Sequence, residues 1–135
     1  MGPKKINHIG IAVSDLEAAK RFYVEALGLK VEHEETMDDM RIAFVPVGEV
    51  NIELIQPTTE DGVIGRFIAK RGEGIHHVAY EVDDVAAVLE TLKSQGVKLV
   101  DEVPRKGAHG TEVGFLHPKS SHGVLTEVVA PKEEG

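Results

Sequence analysis

The stretch Ile6-Asn7-His8-Ile9-Gly10-Ile11-Ala12-Val13 has a counterpart in the second half of the chain, Ile75-His76-His77-Val78-Ala79-Tyr80-Glu81-Val82. Identical residues lie at positions 6/75 (Ile), 8/77 (His) and 13/82 (Val), and at 15/84 (Asp) just beyond the two stretches. A second segment, Ile52-Glu53-Leu54-Ile55-Gln56-Pro57, recurs as Thr126-Glu127-Val128-Val129-Ala130-Pro131. Because related segments recur in the same order in both halves, the sequence indicates a duplicated module of roughly 65–70 residues.

The first copy predicts a strand, a helix and three further strands. The strand is Asn7–Val13. The helix is expected to begin at Ser14, since Glu17 follows three residues later as in a capping box, and to end at Gly28. The extended stretches that follow are Val31–Glu35, Arg41–Val47 and Val50–Gln56.

The second copy repeats this order with the strand His76–Val82 and a helix capped by Asp83 and ended by Gly96. Its later strands are expected at Val97–Val103, Val113–Leu116 and Val124–Val129, and a short helix containing Ile64, Phe67 and Ile68 is expected to connect the copies. The chain is therefore predicted to be α+β, one domain over residues 1–135, built from two tandem βαβββ modules at about residues 5–60 and 74–131.

Composition excludes several classes of protein. The chain has 15 Lys and Arg against 23 Asp and Glu, a net charge of −8, which argues against nucleic-acid binding. With no cysteine, disulfides and thiolate chemistry are excluded. No run approaches the ~18–20 apolar residues of a membrane span, and the first residues contain no apolar signal region. We therefore expect a cytoplasmic protein with no membrane partner.

Charged residues within the predicted strands indicate a metal site. Successive strand residues face opposite sides of a sheet, so His76 and His77 point in opposite directions, and the repeat selects His77 because it matches His8. Glu53 points away from its apolar neighbours, and Glu127 lies in an otherwise neutral strand. A carboxylate buried without a partner costs several kcal/mol. Two imidazoles and two carboxylates suit one divalent ion such as Co, Ni, Zn, Mn or Fe. The other histidines are not expected to be ligands: His33, His76, His109, His117 and His122.

These features resemble the vicinal oxygen chelate superfamily (glyoxalase/bleomycin resistance/dioxygenase) and, within it, the methylmalonyl-CoA epimerase family. The more specific segments are Gly107-Ala108-His109-Gly110 and Phe115-Leu116-His117-Pro118-Lys119, followed by Gly123-Val124-Leu125-Thr126-Glu127. The resemblance implies a curved mixed sheet that forms a cup around the metal, a homodimer and an acyl-CoA substrate. It makes Glu127 both ligand and catalytic base, and His109 and Lys119 candidate substrate-binding residues.

The chain departs from the family pattern at one position and leaves alternatives open. Some epimerases have a second glutamate on the second strand of the first module, where this chain has Ile42. A lactoylglutathione lyase would use the same four ligands but typically has an Asp-Pro-x-Gly-Tyr segment before its last glutamate, which is missing here. An extradiol dioxygenase would use two histidines and one glutamate, and a non-catalytic binding protein of this fold would need no metal ligands.

Overall fold

The computed structural model describes residues 2–131, which separate into two compact units. The N-terminal unit comprises residues 8–76, and the C-terminal unit comprises residues 77–131 together with residues 2–7. Residues before position 8 belong with the C-terminal unit because the Lys4 N–H donates to the carbonyl of Glu81 at 2.9 Å and Asn7 Nδ2 donates to the Glu81 carboxylate at 2.9 Å.

The helices and strands follow the predicted order. In the first half they are β1 (Lys5–Ala12), α1 (Leu16–Lys20) continued by a π-helix (Arg21–Ala26), β2 (His33–Met37), β3 (Met40–Val47), β4 (Val50–Pro57) and the connecting helix α2 (Val63–Arg71). In the second half they are β5 (Gly74–Glu81), α3 (Val85–Ser94), β6 (Arg105–Lys106), a 3-10 turn (Ala108–Gly110), β7 (Glu112–Leu116) and β8 (Thr126–Ala130).

Each unit has the same strand topology. In the N-terminal unit β1 pairs in parallel with β4, and β4, β3 and β2 then pair antiparallel, giving the order β2-β3-β4-β1. In the C-terminal unit β5 pairs in parallel with β8, and β8, β7 and β6 pair antiparallel. This mixed pattern, with a helix after the first strand of each copy, is the predicted βαβββ arrangement.

The helices pack on one face of each set of strands. Leu16 of α1 is fully buried against Leu54 of β4 and Val45 of β3. Leu89 of α3 packs in the same way in the C-terminal unit, where Gly114 of β7 lies so close that an added Cβ would be 2.8 Å from Leu89 Cδ1. Because the apolar alternate residues of each strand face the helices, the intervening residues face the other side.

The predicted helix starts were wrong by one residue. Asp15 and Asp84, rather than Ser14 and Asp83, have the extended backbone of an N-cap, and their carboxylates accept hydrogen bonds from first-turn N–H groups. The Ser14 N–H instead donates to Glu73 at 2.8 Å. The predicted helix stops are consistent with positive φ angles of 88° and 85° at Gly28 and Gly96.

The predicted strand Val97–Val103 was also wrong. Within this segment only Leu99 forms an isolated bridge, to Leu116, and the regular strand is the short β6 further along. The N–H groups of Val100 and Asp101 both donate to the carbonyl of Phe115. Because these backbone groups converge on one acceptor, the segment cannot form a regular ladder there.

A two-residue turn joins β2 to β3. Asp38 and Asp39 separate the paired residues Met37 and Met40, and Asp38 has a φ of 53°, in the left-handed region that aspartate tolerates better than most residues. The turn sets the register of the whole hairpin, including the pairs His33–Phe44 and Glu35–Ile42.

Among residues 2–131, no helix combines the length and apolar character that crossing a bilayer requires.

Candidate active site

The N-terminal unit contains a buried histidine–glutamate pair. Glu53 lies on β4 and His8 on β1, on the face opposite to the helix-packed Leu54. His8 Nδ1 lies 3.1 Å from Glu53 Oε2, and the two side chains are only 7% and 8% exposed. The pair is therefore shielded from water and held by two strands that pair in parallel.

The C-terminal unit contains the matching pair. His77 lies on β5 and Glu127 on β8, where the register partner of Glu127 is Ala79. His77 Nε2 lies 3.3 Å from Glu127 Oε1, and the side chains are 6% and 5% exposed. In the described part of the chain, the buried polar or charged residues are these two pairs and no others: His8, Glu53, His77 and Glu127.

The donor atoms of these pairs suit a divalent metal ion. His8, His77 and Glu127 each offer one buried imidazole nitrogen or carboxylate oxygen of the kind that holds a metal, whereas Glu53, the fourth predicted ligand, is not part of this group and contacts His8. Imidazole and carboxylate ligands suit Zn and its neighbours in the transition series. Removing such groups from water is costly unless a partner compensates. The residues present therefore fit the predicted cofactor.

A phenylalanine flanks each glutamate, which the sequence analysis did not anticipate. Phe44 of β3 is the register partner of Glu53, and Phe115 of β7 is the register partner of Glu127. The Phe115 ring meets the His77 ring edge to face, with centroids 5.5 Å apart. The signal was present in the repeat, since each phenylalanine lies on the strand preceding the glutamate.

A basic side chain covers each phenylalanine. The His33 ring lies 5.3 Å from the Phe44 ring. In the C-terminal unit the Arg105 guanidinium lies 5.1 Å above the Phe115 ring and its Nε is 3.2 Å from Asp101 Oδ2. These contacts place a nitrogen-bearing group beside the aromatic neighbour of each buried pair.

His76, the neighbour of His77, has different surroundings. Its ring meets Phe67 of α2 edge to face, with centroids 5.0 Å apart. Burial lowers the pKa of His76 below the usual value for histidine, so this ring is neutral at physiological pH. The two adjacent histidines thus occupy separate environments, as the alternation of a strand requires.

The predicted substrate-binding residues lie on exposed loops of the C-terminal unit. His109 lies in the 3-10 turn between β6 and β7, with a φ of 57°. Lys119 follows β7, and its backbone N–H donates to His117 Nδ1 at 3.0 Å. Neither residue is part of a buried pair, so a role for them rests on what they would contact in a bound ligand.

Comparison with known proteins identifies the group to which these features belong. Residues 7–115 match the Glyoxalase/Bleomycin resistance protein/Dioxygenase superfamily. An ethylmalonyl-CoA/methylmalonyl-CoA epimerase of Cereibacter sphaeroides is 39% identical over 128 residues, which cover 92% of this chain and 96% of the relative. A probable lactoylglutathione lyase of Vibrio cholerae is 26% identical over 136 residues, covering 98% and 95%.

Solved structures of methylmalonyl-CoA epimerases are also similar to this chain. A Streptomyces coelicolor methylmalonyl-CoA epimerase in complex with 2-nitronate-propionyl-CoA has a TM-score of 0.92 and 38% identity, covering 96% of both chains. A methylmalonyl-CoA epimerase from Mycobacterium tuberculosis has a TM-score of 0.93 and 40% identity, covering 98% of this chain and 91% of that one. These comparisons confirm the predicted fold class.

Proposed function

The chain belongs to the glyoxalase/bleomycin resistance protein/dioxygenase superfamily, and we propose that it is an enzyme interconverting the (2R) and (2S) forms of methylmalonyl-CoA. The observation that carries the proposal is the pair of buried histidine–glutamate contacts at duplicated strand positions. Relatives at 38–40% identity that are named as methylmalonyl-CoA epimerases support this reaction over that of the lyase, which is 26% identical.

We further propose that His8, Glu53, His77 and Glu127 together hold one divalent ion, Co, Ni, Zn or Mn. When bound, such an ion would act as a Lewis acid toward the thioester and carboxylate oxygens of the substrate. The separations of 3.1 Å and 3.3 Å between imidazole nitrogen and carboxylate oxygen are short enough for both atoms of each pair to bind the same ion, which supports the proposal. Residues 1–135 would then function as one domain made of two modules.

Glu127 is proposed to move the proton on one face of the substrate. The α-proton lies between a thioester and a carboxylate, so its removal leaves a delocalised enolate. One carboxylate oxygen of Glu127 would serve as ligand and the other would accept the proton. The side chain lies beside His77 and is almost completely buried, which holds its carboxylate in one orientation toward the reacting carbon.

The reaction is tested by incubating each methylmalonyl-CoA stereoisomer in deuterated water. We expect the purified metal-loaded protein to interconvert the isomers and to incorporate deuterium at the α-carbon. Glu127→Gln should lower exchange by at least ~10², the range of general acid–base catalysis, while Glu112→Gln, at an exposed position on β7, should not. Conversion of the hemithioacetal of methylglyoxal and glutathione, without epimerisation, would instead identify a lactoylglutathione lyase.

The acyl-CoA partner and the assembly complete the proposal. Two groups of cations could bind the CoA phosphates as point charges: Arg66, Lys70 and Arg71 on α2, and Arg105, Lys106 and Lys119 in the C-terminal unit.

A homodimer is proposed because β2 is an edge strand of the N-terminal unit and β6 is an edge strand of the C-terminal unit, and a second copy could cover these edges. Light scattering at micromolar concentration that gives the mass of one chain would contradict the dimer. A cytoplasmic location stays a prediction.

A further inference from the structure

Epimerisation needs a second acid–base group, and the expected position for it is apolar. The α-proton leaves one face of the substrate and a proton must return on the opposite face, so one carboxylate cannot serve both. In this chain Ile42 of β3 occupies the place where some epimerases have a glutamate, and it is only 3% exposed. The inference that follows rests on the proposed function and asks which residue supplies the missing carboxylate.

The register of the β2–β3 hairpin places a carboxylate directly beside Ile42. Glu35 of β2 is the register partner of Ile42. Partners in an antiparallel pair point to the same face, with their Cβ atoms roughly 4.5–5.5 Å apart. A carboxylate on β2 at this position therefore extends over the same part of the sheet as a glutamate at position 42 would.

The same register puts Glu35 on the face that carries the His8–Glu53 pair. His33, two residues before Glu35, is the register partner of Phe44, and Phe44 is the register partner of Glu53. Since residues two apart on a strand share a face, Glu35, His33 and Glu53 all lie on one side of the N-terminal unit. The 5.3 Å contact between the His33 and Phe44 rings agrees with this assignment.

The neighbouring glutamate serves as a comparison, because it faces the other side. Glu34 Oε2 lies 2.6 Å from Lys20 Nζ, next to α1, and this ion pair lies at the surface. Hydrogen bonding to Glu34 raises the pKa of Lys20. Of the two adjacent glutamates on β2, only Glu35 can reach the face that bears Glu53.

His33 connects Glu35 with water. His33 Nε2 lies 2.9 Å from Glu35 Oε1, and the side chains are 38% and 23% exposed. An imidazole hydrogen-bonded to a carboxylate holds that carboxylate in one orientation and can transfer protons to and from solvent. A base that must be reset after each turnover needs such a route.

We propose that Glu35 is the second acid–base residue, supplied from β2 in place of a glutamate on β3, and that His33 is its positioning residue. In one direction Glu35 takes the α-proton, the electron pair of the broken C–H bond forms the C=C bond of an enolate, and the π pair of the thioester carbonyl moves to its oxygen. Glu127 then gives a proton to the opposite face of the α-carbon. Glu35 passes its proton through His33 to water, and Glu127 regains one from water. The other stereoisomer reacts by the same steps in reverse.

The test is deuterium uptake from each stereoisomer separately, with Glu35→Gln compared with Glu34→Gln. Glu35→Gln should lower exchange from one isomer by at least ~10² and retain exchange from the other, the opposite preference to Glu127→Gln. Glu34→Gln should exchange both isomers at the wild-type rate. Exchange of both isomers at the wild-type rate by a folded, metal-loaded Glu35→Gln variant would overturn the inference, as would an equal loss from both.

Two further variants separate chemistry from structure. Adding Ile42→Glu to Glu35→Gln should restore exchange from the affected isomer at least tenfold, and a folded double variant without restoration contradicts the proposal. His33→Ala should slow exchange from the same isomer, and added imidazole should restore it; a loss that imidazole leaves unchanged would reject the role of His33. If the wild-type protein exchanges neither isomer, the proposed function itself is wrong, which is a different result from any of these.

Discussion

Replacing His77 with alanine should abolish the stabilisation of the protein by metal. His77 Nε2 lies 3.3 Å from Glu127 Oε1, and both side chains are almost completely buried. Removing one partner of a buried ion pair costs about 3–5 kcal/mol, because the remaining charge loses an interaction that offset its burial. We expect this decrease in the free energy of unfolding of the metal-free variant.

Metal should stabilise the wild-type protein further, because the folded state binds it through groups that unfolding separates. For one site the gain is about 2.7 kcal/mol when free metal exceeds Kd by a hundredfold. His77→Ala lacks one of four proposed ligands, so its gain at the same metal concentration should fall close to zero. His76→Ala is the matched control, since it removes the adjacent histidine, which contacts Phe67.

The assay is urea unfolding of chelator-treated protein with and without added Co²⁺ or Mn²⁺, together with elemental analysis of the purified proteins. His76→Ala should lose about 0.5–1.5 kcal/mol with its aromatic contact and keep the full gain from metal. The reasoning is refuted if metal stabilises His77→Ala as much as the wild type, or if His76→Ala is the variant that loses metal.

Three further outcomes are expected. Lys119→Ala should raise KM for the CoA ester far more than it changes kcat, as steady-state kinetics will show, because an exposed lysine would act on the phosphates rather than on the reacting carbon. Asp15→Ala and Asp84→Ala should each lower the free energy of unfolding by about 1 kcal/mol in urea, since each removes an N-cap. Gly114→Ala should cost about 1–3 kcal/mol by overpacking and Leu89→Ala about 2–5 kcal/mol. The double variant should cost less than the sum, because the added methyl group enters the space that Leu89 vacates.

The sequence predicted the order of strands and helices, apart from Val97–Val103, and the four buried polar residues, because duplication and charged residues within apolar strands leave strong signals. A carboxylate in the middle of an apolar strand, such as Glu53 or Glu127, is rare enough to indicate a partner. The N-cap residues of the helices were harder to predict. Ser14 followed by Glu17 satisfied the rule for a capping box, although the repeat already aligned Asp15 with Asp84, which are the true caps.

The sequence could not predict which residues of neighbouring strands lie opposite each other. The position of Glu35 beside Ile42 depends on which residues of β2 and β3 are opposite each other, and the alternation within either strand says nothing about that register. The stretch from Val97 to Val103 failed for a related reason. Its three valines and one leucine suit a strand, but its N–H groups donate to acceptors outside any regular ladder.

The turn at Asp38 and Asp39 has a consequence for how this protein and its relatives evolve. A one-residue insertion or deletion there would shift the register of β2 and exchange the faces of Glu34 and Glu35. Such a change would exchange a surface ion pair for the proposed acid–base group without substituting either glutamate. When sequences of this group are aligned, the length of this turn therefore indicates whether β2 supplies a carboxylate to the site, just as the residue at position 42 indicates whether β3 does. The two features should be compared together.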